Sequence, residues 1–151
     1  MIQRKQTLFL LQCIICGIVM MYIPCQQITL ADKTLGLCLV PSDVAEIAST
    51  LGHFGAIALN LGAVLLSFLI IFLFKKREMQ IKLSYALMAF WMIIIAMVYL
   101  CPFVIKTDKI QAVAINHFVV LIGIIAIAAA WFAIKFIKKD IDLLKSADRI
   151  R

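Results

Sequence analysis

The stretch that decides the fold is Lys75-Lys76-Arg77-Glu78-Met79-Gln80-Ile81-Lys82, in which four basic residues lie between two long apolar segments. One segment runs from Leu51 to Phe74 and the other from Leu83 to Val104. Because about 20 apolar residues in a helix cross roughly 30 Å of hydrocarbon, each segment is long enough to span a bilayer. Clustered Lys and Arg between two spans are typical of a cytoplasmic loop. The sequence therefore predicts two membrane hairpins joined on the cytoplasmic side.

The composition agrees with a membrane protein. The chain has 151 residues, of which 65% are hydrophobic and 15% are charged, and its mean hydropathy is +1.08. A soluble domain would be closer to half apolar and a quarter charged. At this length we expect one domain and no separate soluble module.

We predict an all-α integral membrane fold with four transmembrane helices, arranged as two hairpins, and an amphipathic C-terminal helical tail. The predicted spans cover residues 7–23, 44–74, 83–104 and 111–136, and the tail covers residues 137–151. Helix caps are predicted at Asp43 and Asp108, because each precedes an apolar run and has Glu or Gln three residues later. The outer loop 26–42 has two short apolar runs around a turn-like segment, which indicates a short hairpin lying on the helix ends.

The net charge of +7 is distributed unevenly over the predicted topology. Twelve of the fifteen Lys and Arg residues lie on the inner side, whereas the eight acidic residues divide equally. This positive-inside bias predicts that both termini are cytoplasmic and that the basic loop and tail face anionic lipid headgroups. It also makes a nucleic-acid-binding surface the weaker interpretation. The first span has no small-residue cleavage site after it, so we expect an uncleaved signal anchor.

Polar and small residues within the spans indicate how the helices pack. Gln12 is expected to hydrogen-bond to a neighbouring helix, because an unpaired amide in hydrocarbon is costly. In the fourth span, a stripe of small residues is expected to face protein rather than lipid. That stripe is formed by Asn116, Gly123, Ala126, Ala130 and Ala133. Apart from Glu46, which the predicted topology places outside the hydrocarbon in the first turn of the second helix, the predicted spans contain no Asp or Glu, which argues against an ion-coupled transporter.

The five cysteines divide between the two sides. Cys13 and Cys16 form a C-x-x-C on one face of the first helix, but hydrocarbon disfavours the thiolate that redox or metal chemistry needs. We therefore interpret both as small hydrophobic residues. Cys25, Cys38 and Cys101 lie at the outer surface, where a disulfide could form. Their odd number leaves at least one unpaired within the chain.

His53 and His117 are the candidate cofactor-binding residues. Both lie near the outer ends of returning helices, and Lys75 and Lys138 follow them by 22 and 21 residues. If the two helices were neighbours with both rings pointing inward, the imidazoles could ligate a haem or a metal. The alternative is that each histidine bonds locally, to a loop carbonyl or to Asn60 or Asn116. The matching positions also suggest an internal duplication. The alternative is that any two membrane hairpins have aromatic residues where the chain leaves the membrane and lysines where a returning span ends.

Three stretches of the chain resemble a known family. They are the opening Met1-Ile2-Gln3-Arg4-Lys5-Gln6-Thr7, the basic loop ending in Gln80-Ile81-Lys82-Leu83, and the closing segment from Ile137 to Arg151. They are similar to short four-helix membrane proteins of Bacteroidota that are catalogued as domain of unknown function 4293. The resemblance implies a bacterial inner-membrane protein. It implies no catalytic residues, because the family has no assigned activity.

The leading functional hypothesis is a non-enzymatic accessory or scaffold protein that acts through helix packing and its basic tail. It assigns no catalytic residue, metal or cofactor, and its partner would be another membrane protein or a second copy of the chain. One alternative is a membrane redox component with haem or quinone near the outer leaflet. The other is a small uncoupled permease or channel, for which Gln12, Asn60, Ser67 and Asn116 would have to line a polar path.

Overall fold

The computed structural model describes residues 5–29, 34–37, 51–74, 76–104 and 112–149. The helices in these residues are α1 (Lys5–Tyr22), α2 (Leu51–Phe72), α3 (Arg77–Val104) and α4 (His117–Arg149). Three short strands accompany them, namely β1 (Gln26–Thr29), β2 (Thr34–Leu37) and β3 (Ala112–Ile115). Each of the four helices is long and apolar enough to cross a membrane, as the sequence predicts.

The helices pack through buried residues that alternate at spacings of three and four. In α3 the buried stripe is Gln80, Ser84, Leu87, Trp91, Ile94 and Val98. Such heptad spacing keeps one narrow face of each helix toward its neighbours. Each helix packs on the next along the chain, and α4 returns to pack on α1, which closes a ring of four. As a result, α2 and α4 lie at opposite corners of the bundle.

The stripe of small residues in α4 faces the protein, as predicted. Gly123, Ala126, Ala130 and Ala133 are all buried. A Cβ added at Gly123 would lie 2.7 Å from Cγ1 of Ile95 in α3, so the Ile95 side chain packs directly against the α4 backbone there. Small residues therefore determine this helix contact, as they commonly do in membranes.

A three-stranded antiparallel sheet joins the ends of the two hairpins. β1 lies in the centre, and its Gln26 pairs with Leu37 of β2 and with Ile115 of β3. The predicted hairpin in the segment 26–42 is therefore present, with its strands at 26–29 and 34–37. β3 was not predicted, because residues 112–115 were assigned to the fourth helix.

Asn116 explains why α4 begins at His117 rather than near residue 111. The Asn116 backbone N–H donates to the Cys25 carbonyl at 3.1 Å, and Nδ2 donates to the Pro24 carbonyl at 2.9 Å. Its Oδ1 accepts from the backbone N–H of Phe118 at 3.1 Å, which is the geometry of a helix N-cap. Residues 112–115 pair with β1 and are not available for the helix. The predicted cap at Asp108 lies outside the described residues.

The turn between α2 and α3 is shorter than predicted. α3 begins at Arg77, six residues before the predicted start at Leu83. Gln80 is buried and its Nε2 donates to the Ile70 carbonyl at 2.7 Å. Ile70 lies in the last turn of α2, where carbonyls lack helical partners, so Gln80 satisfies one of them. The predicted start of α2 near Val44 lies outside the described residues.

Candidate functional site at the basic end of the bundle

The end of the bundle that contains the α2–α3 turn carries a concentration of positive charge. Seven basic and three acidic residues with described side chains lie on α1, α3, α4 and the turn at this end: Lys5, Lys76, Arg77, Lys82, Lys135, Lys138, Lys139, Glu78, Asp140 and Asp142. All but Arg77 and Asp140 are exposed. We call this set the basic collar. Its charge suits it to binding anions.

Aromatic rings position several lysines of the basic collar. Lys138 Nζ lies 5.5 Å from the ring centroid of Tyr85 and donates to its hydroxyl at 3.0 Å. Lys135 Nζ lies 5.3 Å from the Trp131 ring. Attraction of an ammonium to an aromatic face is worth about 0.5–1 kcal/mol at exposed sites. These rings therefore hold ammonium groups at the level where the helices would leave the hydrocarbon, as aromatic residues do at membrane interfaces.

A cluster of aromatic rings joins α1 to α4 beside the basic collar. Phe9 stacks on Phe132 and on Phe136, with centroid distances of 5.4 Å in both cases. Lys5 Nζ lies 5.9 Å from the Phe136 ring. The N-terminal turns of α1 are thus packed against the part of α4 that leads into the tail.

The tail is a direct continuation of α4, as predicted. α4 has 33 residues and is therefore about 50 Å long, well beyond the hydrocarbon thickness of a bilayer. Ile137 is buried, and Arg77 Nη1 donates to the Asp140 carbonyl at 3.0 Å. Beyond this contact, Leu143 and Leu144 are 59% and 49% exposed. The last turns of α4 therefore extend past the bundle with apolar side chains uncovered.

The polar residues of the bundle interior are held mostly by helix carbonyls. Asn60 Nδ2 donates to the Gly17 carbonyl at 3.0 Å, and Ser67 Oγ donates to the Ala63 carbonyl at 2.8 Å. Asn60 Oδ1 and Trp91 Nε1 are buried and have no hydrogen-bond partner among the described residues. Of the four residues proposed to line a polar path, only Asn60 and Ser67 are buried in the bundle. Asn116 caps α4 at the sheet, and the Gln12 side chain is exposed.

Cys13 and Cys16 belong to the core, which agrees with their interpretation as small hydrophobic residues. Both are buried, and Cys13 Sγ lies 3.5 Å from the Ala126 carbonyl oxygen, to which it donates. Cys13 thus contributes to the contact between α1 and α4. Cys38 and the side chain of Cys101 lie outside the described parts of the chain, so an outer disulfide stays a prediction.

The histidine pair is not arranged as expected. α2 and α4 are not neighbours, and His117 is exposed at the first residue of α4, so the hypothesised arrangement of neighbouring helices with two inward rings is wrong. His53 lies in the first turn of α2, and its side chain lies outside the described residues. Among the described residues, no group of three or more His, Cys, Asp and Glu could hold a metal ion. Binding of a shared cofactor by His53 and His117 stays a prediction.

The hydrogen bonds that connect one helix or strand to another were not predicted from the sequence. Gln80 lies in a stretch predicted to be a loop, and its partner Ile70 lies in α2. Tyr85 lies in the predicted third span, and its partner Lys138 lies in α4. Asn116 carried a usable signal, because Asn directly before an apolar run is a preferred N-cap. Its contacts with Pro24 and Cys25 depend on the sheet.

Comparison with known proteins gives a family and no activity. No curated protein and no solved structure matches the chain. The family described as "Domain of unknown function (DUF4293)" matches residues 2–150, which is nearly the whole sequence. The chain therefore belongs to this family of unknown function.

Proposed function

We propose that this protein is a non-enzymatic accessory or scaffold protein of a bacterial inner membrane, which presents the end of α4 to a partner. The carrying observation is the exposure of Leu143 and Leu144 on a helix that is fixed to the bundle up to Asp140. An apolar helix face with charged neighbours is a common docking element for other helices and for membrane surfaces. A rigid four-helix base would hold this element at a constant distance from the bilayer.

The basic collar supports an orientation with both termini in the cytoplasm. Its lysines would face anionic headgroups, with each basic residue near the surface worth about 1 kcal/mol of attraction. The aromatic rings beside Lys135 and Lys138 fit the headgroup level. In this orientation the sheet lies outside and the end of α4 lies in the cytoplasm.

Reporter fusions test this orientation. We expect fusions after Lys82 and after Arg151 to be active as cytoplasmic reporters, and a fusion after Thr34 to be active as an external one. The reason is the excess of Lys and Arg on the inner side. External activity of the fusion after Arg151 would contradict the proposed orientation.

Removal of the tail end tests the scaffold function. A chain that lacks residues 145–151, and a second one with Leu143→Ser and Leu144→Ser, should both insert normally, because the apolar spans carry the insertion signal. If a stoichiometric partner co-purifies with the full chain from native membranes, we expect its amount to be at least tenfold lower with both variants. Quantitative mass spectrometry of the purified membrane complexes measures this loss.

The matched control is Leu61→Ser with Leu65→Ser, because these side chains are similarly exposed but lie on α2 within the span. If the control loses the partner and the tail variants keep it, the interaction belongs to the lipid-facing surface and the tail only fixes the topology.

The same preparations test the haem alternative, since a bound haem would give a Soret band in the visible spectrum.

A further inference from the structure

Gln12 differs from the five buried polar residues of the helical spans. Gln6, Asn60, Ser67, Gln80 and Ser84 are all buried in the bundle. Gln12 instead is exposed on α1. It lies seven residues after Lys5, which at 1.5 Å per residue places it about 10 Å along the helix and inside the hydrocarbon. The expectation that Gln12 bonds to a neighbouring helix of its own bundle is therefore wrong.

The hydrogen-bonding capacity of Gln12 is largely unused. Its Nε2 donates to Cys16 Sγ at 3.6 Å, and sulfur is a weak acceptor. The structure shows no partner for its Oε1 among the described residues. Because lipid tails offer neither donor nor acceptor, an amide left in this state destabilises the isolated bundle.

The residues around Gln12 form a second heptad stripe, which faces away from the bundle. We call Leu8, Gln12, Ile15 and Val19 the outer stripe, and all four are exposed. Their spacings of four, three and four match those of the buried stripe on the same helix, Gln6, Leu10, Cys13, Gly17 and Met20. Two helices pack through such stripes, and a single polar residue within one fixes register and partner number. The outer stripe lies within a broader exposed face of α1 that also contains Leu11 and Ile18, and Gln12 is the residue that sets it apart from a purely lipid-facing surface.

We infer that the outer stripe is the interface of a homodimer, in which the Gln12 amides of two copies bond to each other. A carboxamide carries both a donor and an acceptor, so it is complementary to itself. Two copies inserted in the same direction and related by a two-fold axis along the membrane normal bring Gln12 to the same depth in both. A second copy thus supplies both missing partners at the required level.

Dimerisation in lipid vesicles tests the inference. Förster transfer between labelled copies, measured over a range of protein-to-lipid ratios, gives the dissociation constant of the full chain. We expect Gln12→Leu to raise this constant by about 3- to 30-fold, as the range measured for interhelical hydrogen bonds in membranes implies. Gln12→Asn, which keeps an amide, should recover part of the loss. Leu65→Ala, which alters an exposed residue on α2, should leave the constant unchanged.

Photo-crosslinking is a second measurement, for the case in which a substitution lowers the amount of folded protein. A benzophenone-bearing residue placed at position 15 should give crosslinked dimers, and the same residue at position 65 should not.

A full chain that stays monomeric at every lipid ratio would overturn the inference. So would an unchanged dissociation constant for Gln12→Leu, or association through Gln12 with a different protein only. A change in the α4 tail should leave dimerisation unaffected, which separates this result from the scaffold proposal.

Discussion

Trp91→Ala is expected to destabilise the folded bundle by about 3–5 kcal/mol, which is the usual cost of truncating a fully buried large aromatic residue. Trp91 is 0% exposed and lies in the middle of the α3 stripe. Its ring reaches toward α1, since a Cβ added at Gly17 would lie 3.7 Å from Trp91 Cη2. Truncation would therefore leave a cavity between α1 and α3, with loss of many dispersion contacts. Unfolding by sodium dodecyl sulfate in mixed micelles, followed by circular dichroism, measures the change.

Trp91→Phe separates the volume of the ring from its polar atom. The indole Nε1 has no hydrogen-bond partner among the described residues, so its removal should lose no hydrogen bond. We expect this variant to lose less than half of the stability lost by Trp91→Ala. Equal losses for the two variants would show that Trp91 Nε1 makes an essential bond, and that packing of the ring is not the main source of the stability.

The number of helices and the buried face of α4 could be predicted because both depend on local pattern. Apolar length alone identifies a span. The small residues of α4 recur at heptad spacing, and Gly123, Ala126 and Ala130 are buried as that spacing predicts. Cys13 and Cys16 could be interpreted as small hydrophobic residues because hydrocarbon disfavours their charged form.

The helix boundaries could not be predicted where contacts between distant residues determine them. α3 begins at Arg77, and its first turn is stabilised by the side chain of Gln80, which donates to a carbonyl of the preceding helix. α4 begins at His117 because residues 112–115 pair with β1, more than 80 residues earlier in the chain. Neither pairing leaves a periodic signal in the sequence.

The candidate site was predicted less well than the fold because the direction of a side chain around a helix is a tertiary property. Polarity favours an inward direction for Gln12, yet Cys13, Cys16 and Gly17 occupy the inward face of α1. His117 appeared to lie within a span, but the helix starts at that residue and leaves it exposed. A ring of four helices also makes only four neighbouring pairs, and α2 with α4 is not one of them.

Gly123→Leu is expected to separate α3 from α4 and to destabilise the bundle by about 3 kcal/mol or more, at the upper end of the range for over-packed cores. Even a Cβ at this position would lie 2.7 Å from Ile95 Cγ1 and 2.9 Å from Ile95 Cδ1. Both distances are far below normal van der Waals contact, so the Ile95 side chain or the two helices have to shift to admit a larger residue. The same detergent titration measures the loss, and reduced protease resistance in the membrane should accompany it.

Two further variants show whether the helix contact itself is responsible. Ala128→Leu enlarges an exposed residue of the same helix, so it should change the stability little. Ile95→Ala removes the two atoms that would collide with a larger residue at position 123. Combined with Gly123→Leu, it should therefore restore part of the lost stability, which is a positive coupling between the two sites. If Gly123→Leu proved as stable as Ala128→Leu, the close approach of α3 and α4 at Gly123 would not exist in the membrane. The buried stripe of small residues would then need a different partner.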